Sequence, residues 1–373
     1  MKRALMYASV ASMIQQFNME NIQILLDLGY AVDVACNMEY GSTITDEKVA
    51  AMKQELEAMG VNVFHVPVPR TITAMGKILK AYRATKKLLN RQEYNLIHCH
   101  SPIGGMICRL ANRLSGRYGQ AKMIYTAHGF HFYKGAPKKN WLMFYPVEKF
   151  CARFTDVLIT INQEDYRLAK RRMKAKQVVY VPGIGIDIEK FRNTAIDRIA
   201  KRHSLHIPED ATVLLSVGEL NENKNHETAI RAIADLDVYY VIVGKGKLDQ
   251  QLLDIIQSLN ISEKVKLLGF RDDVQELYKA ADLFVFPSFR EGLSVSLMEA
   301  MASGLPVACS CIRGNTDLID CTGGALFSPH SPEACRDAIL KALSMPEAGA
   351  YNAEKMALFS RDSVSKHIKA IYK

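Results

Sequence analysis

The chain has 373 residues, of which 49% are hydrophobic, 23% charged and 8% aromatic, with 22 Gly and 12 Pro. That length suggests about two domains of roughly 150 residues, and the composition excludes collagen-like, low-complexity and wholly disordered classes. The net charge of +9 is uneven: residues 1–185 hold 26 Lys+Arg against 13 Asp+Glu, residues 186–373 hold 22 against 26, and the halves carry +13 and −4.

Short β-rich runs alternate with helical patterns along the whole chain, which is the signature of parallel sheets with crossover helices. In the first half the predicted strands are 4–8, 31–35, 62–65, 96–99, 123–126, 157–161 and 178–181. In the second half they are 213–217, 239–243, 265–268, 283–287, 306–310 and 324–327. Helices are expected between them, for example at 46–58, 78–90, 226–234, 247–259 and 274–280. The count suits two doubly wound α/β domains and is too irregular for one (β/α)8 barrel. The run Val181-Pro182-Gly183-Ile184-Gly185-Ile186-Asp187 breaks both helix and strand. It sets domains at 1–185 and 186–373, with the last helix able to pack back on the first.

A basic first half is suited to an anionic partner such as a phosphorylated substrate, nucleic acid or a membrane surface. The eight cysteines lie at 36, 99, 108, 151, 309, 311, 321 and 335 without a paired CxxC framework, as reduced thiols of a cytoplasmic protein do. The apolar stretch after Met1-Lys2-Arg3 runs directly into helix-period sequence at Phe17, Ile22, Leu25 and Leu26, unlike a secretory signal. No apolar run approaches ~18 residues. Membrane contact is therefore expected to be peripheral, on the inner face of the cell membrane.

The most specific segment runs from Phe286 to Val307. A strand ends at a polar loop holding Glu291-Gly292, a helix follows through Leu293, Ser294, Val295 and Ser296, and Gly304-Leu305-Pro306 stops the helix and restarts a strand. A loop at the carboxyl end of a parallel strand, followed by a helix N-terminus, favours a phosphate. Glu291 in the loop and Glu299 one turn into the helix are suited to sugar hydroxyls. Ser296-x-x-Glu299 also reads as a capping box, in which Glu299 would only satisfy a terminal N–H. That reading does not account for Glu291, Gly292 and the Gly-Leu-Pro exit.

The segment resembles the E-x7-E signature of retaining glycosyltransferases of family 4, which have the GT-B fold of two Rossmann-like domains facing across a cleft. The resemblance covers nearly the whole chain. Gly218-Glu219-Leu220 with Lys224 resembles the family's Gly-Arg-Leu turn and lysine, which bind the donor pyrophosphate. Gly269-Phe270-Arg271 resembles the segment that holds the base, and Ala127-His128-Gly129 the strand-end histidine that reaches toward the transferred sugar. His100-Ser101-Pro102-Ile103-Gly104-Gly105 and residues 129–146 resemble the exopolysaccharide and capsule branch.

The resemblance implies catalysis by His128, Lys224 and Glu291, and donor binding by Gly218, Arg271, Gly292, Leu293, Ser294, Val295, Ser296 and Glu299. On the acceptor side it implies Ser9, Val10 and His100. The implied partners are a nucleotide-sugar, UDP-linked and for this branch a UDP-N-acetylhexosamine, and a polyprenyl-pyrophosphate-linked saccharide. No cofactor and no metal are expected. Front-face transfer with retention follows, because no carboxylate is well placed as a nucleophile. A UDP-sugar epimerase of the same fold and a catalytically silent binding subunit are the alternatives.

Departures from the family pattern are Glu219 at the usual arginine, Ser9-Val10-Ala11-Ser12 in place of a Gly-Gly turn, and Pro182-Gly183 in place of Pro-Asn. Arg271 or Arg290 is the expected compensation for the missing cation. His98-Cys99-His100 has metal-ligand residue types, yet strand alternation turns the Cys away; a strand end with an exposed His is the favoured reading. Asp235-Leu236-Asp237 reads as a solvated turn. Residues 130–145 mix aromatic and basic side chains, either as an interfacial element with Lys134, Lys138, Lys139 and Trp141 at an anionic membrane or as a core-packing helix with a basic entry loop. No nucleic-acid-binding motif accompanies the charge.

Overall fold

A computed structural model describes residues 1–41 and 44–373. It contains two compact units, one formed by Met1–Ile184 with Val364–Lys373 and the other by Gly185–Ser363.

The first unit holds a parallel sheet of β1 (Arg3–Val10), β2 (Ala31–Asn37), β3 (Asn62–His65), β4 (Leu96–His100), β5 (Lys122–Ala127), β6 (Val157–Thr160) and β7 (Gln177–Tyr180). Its order is β3-β2-β1-β4-β5-β6-β7. Central strands such as β4 are buried at every position, because helices cover both faces, whereas the edges β3 and β7 are partly exposed. One face packs Leu5, Tyr7, Ile97 and Tyr125. The other packs Ala4, Met6, Val34 and Ile124, and there the final helix, Arg361–Tyr372, inserts Val364, Ile368 and Tyr372. That i, i+4, i+8 apolar stripe is why its last turns belong with the first unit although they follow the second in sequence.

The second unit's sheet contains β8 (Val213–Val217), β9 (Tyr239–Val243), β10 (Val265–Leu267), β11 (Leu283–Phe286), β12 (Val307–Ser310) and β13 (Gly324–Phe327), in the order β10-β9-β8-β11-β12-β13. Both sheets thus reverse direction once: at β1/β4 in the first and at β8/β11 in the second. Crevices beyond the carboxyl ends of strands at such a reversal are where open α/β sheets bind ligands. Each unit therefore has one topologically defined place for a site.

All thirteen predicted strands are present among the described residues, with the largest change at β1, which runs on to Val10. A register shift between Tyr7 and Val10 brings Val10 beside Asn37. The helix Ala11–Phe17 then starts with no intervening turn.

Candidate active site

In the second unit the chain leaves β8 at Gly218 and returns through Lys224, and it leaves β11 toward Glu291. Because β8 and β11 are neighbours, these two loops meet. Lys224 Nζ donates to Glu291 Oε1 at 2.8 Å, and the two side chains are only 19% and 13% exposed. The ammonium also lies 4.7 Å from the centre of the Phe286 ring. A Cβ at residue 218 would sit 3.2 Å from the Lys224 methylenes, so glycine lets the lysine fold across the turn.

The adjoining loops hold this arrangement. Asn223 Nδ2 donates to the Arg290 carbonyl, and Asn225, in a left-handed conformation, donates to the carbonyls of Pro287 and Pro329. Arg313, after β12, is buried and donates from Nε to the Glu291 carbonyl at 3.1 Å. Gly314 follows with φ +83°, and a Cβ there would lie 2.4 Å from the Gly292 oxygen. Arg313 was not identified from sequence; the Arg-Gly pair at a strand's carboxyl end is the signal that could have found it.

The helix Val295–Ala302 begins at Ser294, whose hydroxyl accepts from Leu297 N. The cap is therefore Ser294, and the Ser296-x-x-Glu299 capping box does not form. Ser296 lies inside the helix, and Glu299 instead receives a hydrogen bond from Tyr278 Oη at 3.1 Å. Burial pushes the Glu299 carboxyl up to about 7, against the opposing effects of the Tyr278 hydroxyl and Lys190. Leu293 and Ser294 are buried, whereas Gly292, Val295 and Ser296 remain partly exposed.

Arg271 is already paired. Its guanidinium forks onto Asp273 at 2.8 and 2.6 Å, and Asp273 also pairs with Lys201. Arg290 and Glu219 are exposed. Asp237 pairs with Lys264 at the surface.

In the first unit, Ser9 and Val10 end β1, His100 ends β4, and His128 follows β5. Ser9 and Val10 are both buried, and Ser9 Oγ accepts from Gly104 N at 3.0 Å, so that oxygen serves the fold. Glycines at 104 and 105 permit the approach, since a Cβ would lie 2.8 Å from Ser9 Oγ and 2.5 Å from the Tyr125 ring respectively. His100 is 1% exposed, contrary to the expected exposed histidine, because it ends a central strand covered on both faces and its ring packs against those of His98 and His128. Its Nδ1 is 3.1 Å from Nε2 of the partly exposed His128.

The aromatic and basic segment resolves into the helix Lys138–Cys151 and its entry loop. Trp141 is partly buried, packs against Phe132 and Tyr145 and donates to the Tyr133 carbonyl, so much of its ring is engaged with the protein. Leu142 is the side chain that projects, at 80% exposure, near exposed Lys138, Lys139 and Met143. Among the described residues, no cluster of three or more His, Cys, Asp or Glu could hold a metal ion, and no helix is long and apolar enough to cross a membrane.

Residues 197–357 match the family model described as glycosyl transferases group 1, and residues 8–162 match that described as glycosyl transferase 4-like. The chain is 34% identical to the putative glycosyltransferase EpsD of Bacillus subtilis, over 90% of this chain and 89% of that relative. It belongs to this glycosyltransferase family. It is also 32% identical to the UDP-Gal:alpha-D-GlcNAc-diphosphoundecaprenol alpha-1,3-galactosyltransferase of Escherichia coli, over 69% of this chain and 68% of the relative. A crystal structure of Anabaena HepE in complex with UDP has a TM-score of 0.75 at 19% identity, covering 100% of this chain and 99% of that one. With the two reversing parallel sheets, this makes the glycosyltransferase fold GT-B.

Proposed function

We propose that this glycosyltransferase moves a hexose or N-acetylhexosamine from a UDP-sugar to a polyprenyl-diphosphate-linked saccharide during surface polysaccharide synthesis, with retention and without a metal ion. The observation that carries the reading is the Lys224–Glu291 pair at the β8/β11 reversal. A diphosphate leaving group needs a cation at the oxygens where charge develops. Lys224 supplies it, together with N–H groups at the start of the Val295–Ala302 helix. Donor entry divides the pair, so that the ammonium turns to phosphate and the Glu291 carboxylate accepts from sugar hydroxyls. Glu299 accepts from the ribose.

The first unit takes the acceptor near Ser9 and Val10 and contributes His128 as the group that contacts the transferred sugar. A donor phosphate oxygen takes the acceptor proton, since desolvation lowers His128 to about 4 and makes it too weak a base to hold that proton near neutral pH. The lipid acceptor and the +13 excess support peripheral binding to an anionic leaflet, where each well-placed cation is worth about 1 kcal/mol. Lys138, Lys139 and Leu142 form the proposed contact.

The experiment is a panel of labelled nucleotide-sugars incubated with lipid-linked acceptors, followed by analysis of the product's anomeric configuration. Transfer with retention from one UDP-sugar supports the reading. An isomerised sugar, or binding without turnover, refutes it. Lys138→Glu/Lys139→Glu should weaken sedimentation with anionic vesicles and slow transfer to a long-chain acceptor while sparing a soluble short-chain analogue. Equal effects on both acceptors would remove the membrane contact.

A further inference from the structure

Three histidines converge where β4 and β5 end. His98 is fixed at both nitrogens, Nδ1 with Tyr372 Oη at 2.7 Å and Nε2 with Thr126 Oγ1 at 2.8 Å. Its ring lies 4.2 Å from that of His100, centre to centre, and braces it. His100 Nδ1 in turn meets His128 Nε2. The far nitrogen of His100, Nε2, is buried without a hydrogen-bond partner among the described residues.

We propose that His100 is a positioning residue that holds His128 in its Nδ1–H tautomer, so that His128 presents a hydrogen-bond donor to the transferred sugar. This rests on the reading of His128 as the sugar-contacting group. Burial keeps all three rings neutral, with His98 lowered to about 3, His128 to about 4 and His100 well below its ordinary value. A neutral pair shares one proton across the His100–His128 contact, and two assignments are possible. If His128 Nε2–H donated, the His100 proton would sit on its buried Nε2 and leave an N–H unmet. If His100 Nδ1–H donates, only a lone pair is unmet, and buried orphan donors are the rarer and costlier of the two. The second assignment therefore holds. It leaves His128 Nε2 as an acceptor and its Nδ1–H as the donor available to a hydroxyl oxygen.

The polarity of the contact can be reversed in nearly the same volume. An Asn at position 100 can turn its amide N–H to where the ring Nδ1–H was, whereas an ionised Asp offers only an acceptor there. Nitrogen-15 NMR of histidine-labelled protein, with His128 assigned by its loss in His128→Gln, reports which nitrogen carries the proton. Wild type should show Nδ1–H. His100→Leu should release the tautomer and lower kcat about 10- to 100-fold, the range typical of removing an orienting partner, with the donor KM unchanged. His100→Asn should keep Nδ1–H and most of the activity, and His100→Asp should show Nε2–H with activity as low as the Leu variant. Nε2–H in the wild type, a measurement that needs no folded variant at position 100, overturns the proposal. So does equal activity of the Asn and Asp variants. A His128→Ala enzyme as fast as wild type removes the role of His128 itself, which the tautomer measurement keeps separate from a failure of the His100 assignment.

Discussion

Replacing Lys224 by Ala removes a cation whose Nζ lies 2.8 Å from Glu291 Oε1 in a site less than one-fifth exposed. At about 4 Å from a phosphate oxygen, a unit charge is worth about 4 kcal/mol at an effective dielectric of 20. Most of that is realised only as the diphosphate leaves. The expected loss is 100- to 1000-fold in kcat, about 2.7–4 kcal/mol, as for removal of other charge-stabilising donors. Lys224→Arg should retain part of the activity, because the charge persists although its geometry over Phe286 changes. Glu291→Gln should also be slow, since an amide replaces an anionic acceptor. The assay is steady-state transfer at saturating donor and acceptor, with thermal unfolding as a control. If Ala and Arg lose activity equally while donor KM is unchanged, or if lost activity tracks lost stability, Lys224 is a structural partner of Glu291 and the charge argument fails.

Donor affinity should depend on the Glu299 carboxyl, which burial raises to about 7. Ribose hydroxyls bind its ionised form, so donor KM should rise as pH falls from 8 to 6, and Glu299→Gln should flatten the profile; a pH-independent wild-type KM would exclude the contact. Activity should persist in excess chelator, and complete inhibition reversed by Mg2+ would contradict the Lys224 mechanism. Arg109 and Glu148 form a buried pair at 2.7 Å, with Tyr125 Oη also donating to Glu148. Glu148→Ala should lower stability to urea by about 3–5 kcal/mol, because it leaves a buried guanidinium unpaired; a loss below about 1 kcal/mol would show that water reaches Arg109.

The strands were legible because parallel strands covered on both faces are written as apolar runs, and β8, β9 and β11 are such runs. Pairings set by strand order were not. Lys224 and Glu291 are 67 positions apart and meet only because β8 lies beside β11, which no local pattern states. Arg271 reads as a free cation by residue type, but Asp273, two residues on, accepts from its Nε and Nη2. Trp141 suited a membrane interface by residue type, yet a one-residue step around the helix decides which side chain faces out, and it leaves Trp141 partly buried and Leu142 projecting. The capping box failed because the helix starts two residues earlier than Ser296 requires.

The two sheets share a strand order but place different chemistry at their reversals. At β8/β11 the groups are charged, and the Lys224–Glu291 pair keeps those charges satisfied while the site is only partly exposed. At β1/β4 they are a hydroxyl and neutral imidazoles, even though residues 1–185, which make up most of this unit, carry +13. The excess lies elsewhere: Arg167, Lys170, Arg171 and Arg172 are exposed on the Gln163–Arg172 helix, and Lys77, Lys80, Arg83 and Lys87 on the Met75–Arg91 helix. Charge spread over helix surfaces acts as a field on an approaching anion, screened within about 8–10 Å by salt, and not as a ligand to one phosphate. On the proposed reading, stabilisation of the leaving group falls to the second unit, and the first unit's charge would serve encounter with an anionic acceptor or leaflet while hydrogen-bond polarity governs its own reversal point.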